Sequence, residues 1–154
     1  MIADLPRLWT PQARAISQVT DALADGHRRI CLAMPTGAGK SRVACELIRD
    51  WLVSGFKVSL YTNRKMLVEQ LIRTLSAFGL DHGVRAADHE DNRHRDLQVS
   101  SIQTEASRVL KKKMWQLHEA DRVIIDEAHI NTGATAKTLL DLHLLQGAKY
   151  VGLT

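Results

Sequence analysis

Aromatic residues are scarce in this chain of 154 residues: three Trp, two Tyr and two Phe, 5% of the sequence. Trp9, Trp51 and Trp115 are scattered, so no row of rings offers a stacking platform for nucleobases. Cysteine is limited to Cys31 and Cys45, which form no metal-type pair. Both stand in apolar context and are expected to be reduced core residues. Of the seven histidines, His89 and His94 share a polar stretch, but no cysteine or second pair completes a ligand set, which argues against zinc. No apolar run approaches the roughly 18 to 20 residues that span a bilayer, and the N-terminus lacks the basic and apolar blocks of a secretory signal. A cytoplasmic protein is expected.

What is present suits one domain with a real core: 45% of the residues are hydrophobic, and the length is too small for two domains. The net charge of +4 suits a polyanionic partner, although excess charge bears on association and not on fold.

The informative stretch is Met34, Pro35, Thr36, Gly37, Ala38, Gly39, Lys40, Ser41. Glycines let backbone N–H groups curl around phosphate oxygens, and a following helix points its partly positive end at them. Lys40 would reach the β- and γ-phosphates of a nucleoside triphosphate, and the Ser41 hydroxyl is placed to ligand Mg²⁺. The flanks agree. Arg29 to Met34 is a short apolar run of strand type, and Ser41 to Val53 carries Val43, Leu47, Ile48, Trp51 and Leu52 at helical spacing. This is a P-loop, with Met34 where the strict pattern has a glycine.

Further on, Arg122 to Ile125 reads as a buried strand that ends in Asp126, Glu127, Ala128, His129. In a parallel sheet the carboxyl ends of the strands share one edge, so these carboxylates would lie beside phosphates held by the P-loop. Asp126 could hold Mg²⁺ through water, and Glu127 could orient and deprotonate an attacking water. The alternative is that both acids cap a following helix.

Asp-Glu-Ala-His together with the P-loop resembles the superfamily 2 helicase-like ATPases, the group that includes the DEAD- and DEAH-box enzymes. Within that group the chain is similar to RadD-type repair helicases and to the translocase subunits of restriction enzymes, which share the Pro-Thr-Gly-Ala-Gly-Lys-Ser loop. The resemblance implies an N-terminal RecA-like domain over residues 1–154, ATP and Mg²⁺ as ligands, and a second RecA-like domain outside this chain. It also implies a nucleic-acid partner, DNA sooner than RNA. Gln12, in Leu8 to Gln12, is similar to the adenine-reading glutamine of the family, whose amide can donate and accept. The pattern departs there: Trp9 and Thr10 precede Pro11 where the relatives have Arg-Pro-aromatic-Gln, and an exposed first-turn position is the other reading of Gln12. Tyr61 to Gln70 resembles motif Ia, and Val99 to Thr104 the Ser/Thr-rich motif after it. Gly152 to Thr154 resembles the start of the motif that links hydrolysis to domain movement. By the same resemblance His129 and Thr154 would couple the ATP site to the second domain.

Along the chain strand and helix alternate, the signature of a parallel α/β sheet with helices on both faces. Helix is expected at Thr10 to Ala24, capped by Thr10, and at Arg64 to Phe78, with Leu67, Leu71, Ile72, Leu75 and Phe78 on one side. Strands are expected at Lys57 to Tyr61, Gly83 to Ala87, Leu97 to Ser100 and Lys149 to Leu153. Asp88 to Asp96 should be a polar loop, and Thr104 to Leu110 a short helix. Candidate nucleic-acid contacts are Asn63, Arg64, Gln103 and Thr104, at helix starts after strand ends. Capping by Thr62 and Ser101 would explain the same pattern without a ligand. Lys111, Lys112 and Lys113 would point in different directions on a helix, as a solvated face.

Three functions fit these residues. The first is the ATP-binding domain of a nucleic-acid-dependent ATPase, expected to be monomeric and to bind nucleotide with little turnover alone, because the arginine finger of such motors lies on the second domain. The second is a stand-alone P-loop phosphotransferase, and the third a binding module that does not hydrolyse.

Overall fold

A computed structural model describes residues 7–35, 37–63, 65–86, 89, 92–128 and 133–154. The expected residues Thr36, Arg64 and His129 lie outside the described residues. The strands are β1 (Arg29–Leu32), β2 (Val58–Thr62), β3 (Gly83–Val84), β4 (Leu97–Ser101), β5 (Arg122–Ile125) and β6 (Lys149–Leu153). All pair in parallel in the order β1-β6-β5-β2-β4-β3, which puts the P-loop strand at one edge. The helices are α1 (Thr10–Ala24), α2 (Lys40–Val53), α3 (Lys65–Ala77), α4 (Ile102–Glu105) and α5 (Ala134–Leu145). A π-helical stretch, Ala106–Lys111, continues α4.

Alternation along each strand decides which helices lie on which face. Val58, Leu60, Ile124, Val151 and Leu153 join α1, α2 and α3 in one core through Val19, Val43, Leu47, Ile48 and Leu75. Their neighbours Tyr61, Val123 and Ile125 pack with Ile102, Ala106, Ala136 and Leu139 in a second core on the opposite face. The expected α/β architecture is therefore present, with helices on both faces.

Several local expectations are corrected. Trp9, not Thr10, is the N-cap of α1, because the side-chain amide oxygen of Gln12, Oε1, turns back to accept from the Trp9 N–H at 3.0 Å. Cys31 is exposed, since β1 is an edge strand, whereas Cys45 is buried and its thiol is pushed up to about 12 by burial. Lys112 caps the π-helical stretch and Lys113 adopts φ 52°, so the three exposed lysines do not share a helix. The strand at Gly83 is two residues long. Helix α5 has no counterpart among the sequence expectations: Leu139, Leu140, Leu142, Leu144 and Leu145 crowd both sides and blur its period.

Candidate nucleotide site

The P-loop leaves β1 at the carboxyl edge of the sheet and enters α2 at Lys40. Gly37 and Gly39 both take φ +80°, a left-handed conformation that costs an L side chain about 1–2 kcal/mol. The loop is braced at its base by bonds to the end of β6: the Met34 N–H donates to the Thr154 carbonyl at 2.9 Å, and the Thr154 N–H to that of Leu32 at 3.1 Å. Within the loop the Ala38 N–H donates to the Pro35 carbonyl at 3.0 Å.

The second half of the site is held by two neighbouring strands. The Asp126 N–H donates to the Tyr61 carbonyl at the end of β2, and the Ala128 N–H to the Leu153 carbonyl of β6, each at 2.8 Å. Between these anchors Glu127 adopts φ 53°, a conformation that persists for a non-glycine residue only where its surroundings over-determine it. The turn sends its carboxylate to the P-loop, where Lys40 Nζ donates to Glu127 Oε1 at 3.0 Å. Gly152 permits this approach, because a Cβ at that position would stand 2.8 Å from the Ala128 Cβ.

Ser41 and Asp126 line one small cavity that runs beneath α2 to Cys45 and Leu75. A hydroxyl and a carboxylate are hard oxygen donors that fit Mg²⁺. Burial raises the Asp126 pKa, and the adjacent Glu127 charge adds to this, while Lys40 opposes it. Holding that carboxylate charged is therefore costly, and a divalent cation would offset the cost.

Gln12 is buried and sits against the loop: its Nε2 donates to the Ala38 carbonyl at 3.2 Å. The structure thus brings Gln12, Pro35, Gly37, Ala38, Gly39, Lys40, Ser41, Asp126, Glu127 and Thr154 to one edge. Of the nucleic-acid candidates, Asn63 follows β2 on this same edge, and Gln103 and Thr104 open α4 after β4. Ser101 caps α4, accepting from the Thr104 N–H at 3.1 Å, so the capping role is realised.

Sequence reasoning missed the polar groups inside the second core. Arg85 Nε donates to Glu105 Oε2 at 3.0 Å with both side chains buried, and Arg85 Nη2 donates to the Gln116 carbonyl at 2.6 Å. Tyr61 Oη lies 2.7 Å from His143 Nε2, and burial pushes the His143 pKa down to about 4, assisted by the charges of His118 and Arg85. No local spacing announces such pairs, because their partners are 20 and 82 positions apart.

The chain is similar to known proteins over nearly its whole length. The family profile described as type III restriction enzyme, res subunit, matches residues 6–154. IRC3 of Saccharomyces cerevisiae, whose name gives it as a candidate ATP-dependent helicase, is 27% identical over 149 residues, covering 88% of this chain and 21% of its own length. Among solved structures, the UvsW helicase of bacteriophage T4 superposes with a TM-score of 0.77 at 18% identity, over 99% of this chain and 54% of its own. The SWI2/SNF2 ATPase core of Sulfolobus solfataricus, in complex with double-stranded DNA, gives 0.74 at 19% identity, over 97% of this chain and 32% of its own. The chain therefore spans only a part of each of these relatives. Among the described residues no helix is long and apolar enough to cross a membrane.

Proposed function

Because the chain belongs to the type III restriction enzyme res-subunit family, we propose that it is the ATP-binding RecA-like domain of a motor that hydrolyses ATP to move along or remodel DNA. The observation that carries this is the contact of Lys40 with Glu127 at 3.0 Å, which joins the phosphate loop to the turn of Asp126, Glu127 and Ala128 across two separate strands. A helix cap would not need that meeting, so it favours the catalytic role of the two acids over the capping one. The double-stranded DNA held by the similar SWI2/SNF2 core supports DNA as the track.

In this reading Pro35, Thr36, Gly37, Ala38 and Gly39 wrap the phosphates, and Lys40 neutralises charge on the β- and γ-groups. Ser41 and Asp126 would hold Mg²⁺, which when bound neutralises charge that develops on the phosphates. Glu127 takes the proton of the attacking water. Gln12 contacts the base. Asn63, Arg64, Gln103 and Thr104 touch the nucleic-acid backbone, and His129 and Thr154 pass the state of the site to a second RecA-like domain.

The test is ATP turnover by this chain with and without single-stranded DNA, duplex DNA and RNA, with Glu127→Gln as the blank and Mg-ATP binding measured alongside. Binding without turnover identifies half of a two-domain site; turnover stimulated by one polymer names the track. No binding of Mg-ATP would sink the proposal.

A further inference from the structure

The amide of Gln12 touches the P-loop backbone itself. Its Oε1 accepts from the Trp9 N–H at 3.0 Å, which fixes the amide against the first turn of α1. Its Nε2 donates to the carbonyl of Ala38, 26 residues further on, at 3.2 Å. The two bonds leave no freedom in which end of the amide faces the loop. A Cβ on Gly39 would lie 2.3 Å from Nε2, so the next residue of the loop is pressed against the same group.

The consequence comes from peptide geometry. The Ala38 carbonyl and the Gly39 N–H belong to one planar trans peptide, in which C=O and N–H point in opposite directions. Tethering the carbonyl on the Gln12 side therefore aims the Gly39 N–H the other way. A carbonyl oxygen repels a phosphate and an N–H attracts one, so the orientation of this single peptide decides whether the loop accepts or rejects an anion at that point.

We propose that Gln12 is a positioning residue for the triphosphate loop: it holds the Ala38 carbonyl outward and thereby turns the Gly39 N–H toward the phosphates. This task is separate from any contact of Gln12 with the base, and it rests on the nucleotide reading of the site. The ligand class concerned is the polyphosphate chain alone, whatever base it carries.

Mg-tripolyphosphate, which has no base, separates the two tasks. Its affinity is measured by calorimetry together with those of Mg-ATP and Mg-GTP, for the unmodified chain, Gln12→Glu and Lys40→Ala. In Gln12→Glu one oxygen still accepts from Trp9, but the other meets the Ala38 carbonyl without a proton. The expected result is that all three ligands weaken by the same factor, roughly 5- to 30-fold, with the ATP-to-GTP ratio unchanged. Protonation of the carboxylate introduced by Gln12→Glu restores a donor, so the deficit against the unmodified chain at the same pH narrows between about pH 8 and about pH 5. Gln12→Asn, too short to bridge both partners, serves if the first variant does not fold and is expected to weaken the three ligands alike.

Tripolyphosphate affinity within twofold of the unmodified chain, or a changed ATP-to-GTP ratio with unchanged tripolyphosphate binding, overturns the positioning role and leaves Gln12 as a base contact. Failure of the unmodified chain to bind tripolyphosphate and both nucleotides overturns the nucleotide reading and this role with it. Lys40→Ala distinguishes the cases, since it abolishes binding of all three ligands wherever the P-loop reading holds.

Discussion

Lys40 and Glu127 are each other's counter-ion: Nζ and Oε1 lie 3.0 Å apart, with side chains 23% and 31% exposed. A triphosphate that takes Lys40 must therefore compete with a carboxylate. Replacing Glu127 by neutral Gln weakens the competitor, so Mg-ATP affinity is expected to rise by up to about fivefold, in keeping with a partly exposed pair. Lys40→Ala is expected to lose at least roughly 100-fold in affinity, beyond the range in which calorimetry detects binding. Calorimetry with both variants checks this, and a fall in affinity on Glu127→Gln would contradict the competition.

The two loop glycines should respond differently to alanine. Gly37 has the left-handed φ but open space around the missing Cβ, so Gly37→Ala should cost about 1–2 kcal/mol from backbone strain alone. Gly39 has the same φ and also abuts Gln12, so Gly39→Ala must displace that side chain as well. Denaturant titration of both variants should show the larger loss for Gly39→Ala. Equal losses would mean that Gln12 yields freely.

Gly152→Ala forces a methyl against Ala128, at a separation of 2.8 Å between Cβ atoms. Overpacking of this kind costs about 1–3 kcal/mol, and here it pushes on the residue that anchors Glu127. Turnover of the intact protein should fall more than Mg-ATP binding does. A variant with unchanged stability and unchanged turnover would show that the turn relaxes around the methyl.

His143 should make stability pH-dependent. Its pKa is pushed down from 6.5 to about 4, so below about pH 6.5 the unfolded chain takes up a proton that the folded chain resists. The stability that His143 contributes by staying neutral is present above that value and is lost as pH falls toward about 4. The loss is on the order of 3 kcal/mol, at about 1.4 kcal/mol per tenfold. Urea midpoints at neutral and mildly acidic pH, compared with those of His143→Gln, measure it; parallel pH dependence in the two proteins would exclude the histidine.

The Arg85–Glu105 pair is buried on both sides, with burial raising the Glu105 pKa against the pull of Arg85. Arg85→Met leaves a buried carboxylate uncompensated and should cost about 3–5 kcal/mol. Adding Glu105→Leu should restore much of that loss. A double variant as unstable as the single one would show that Glu105 matters through its bond from Ser100 and not through Arg85.

The sequence by itself determined whatever depends on spacing within one element: the glycine-rich P-loop between its strand and helix, the buried strand that runs into Asp126 and Glu127, and the bounds of α1. It was silent about α5, whose leucines face too many ways to carry a period, and it put Cys31 in the core because one strand cannot say whether a neighbour will cover it. Only the tertiary structure decided that β1 is an edge and that Lys40 meets Glu127. Only there do Gly152 and Ala128 come close enough to forbid a side chain, and only there is Gln12 tied to the Ala38 carbonyl. These are contacts between residues far apart in the chain, selected by sheet order and by the need of buried polar groups for a partner, and no local pattern of residues encodes them.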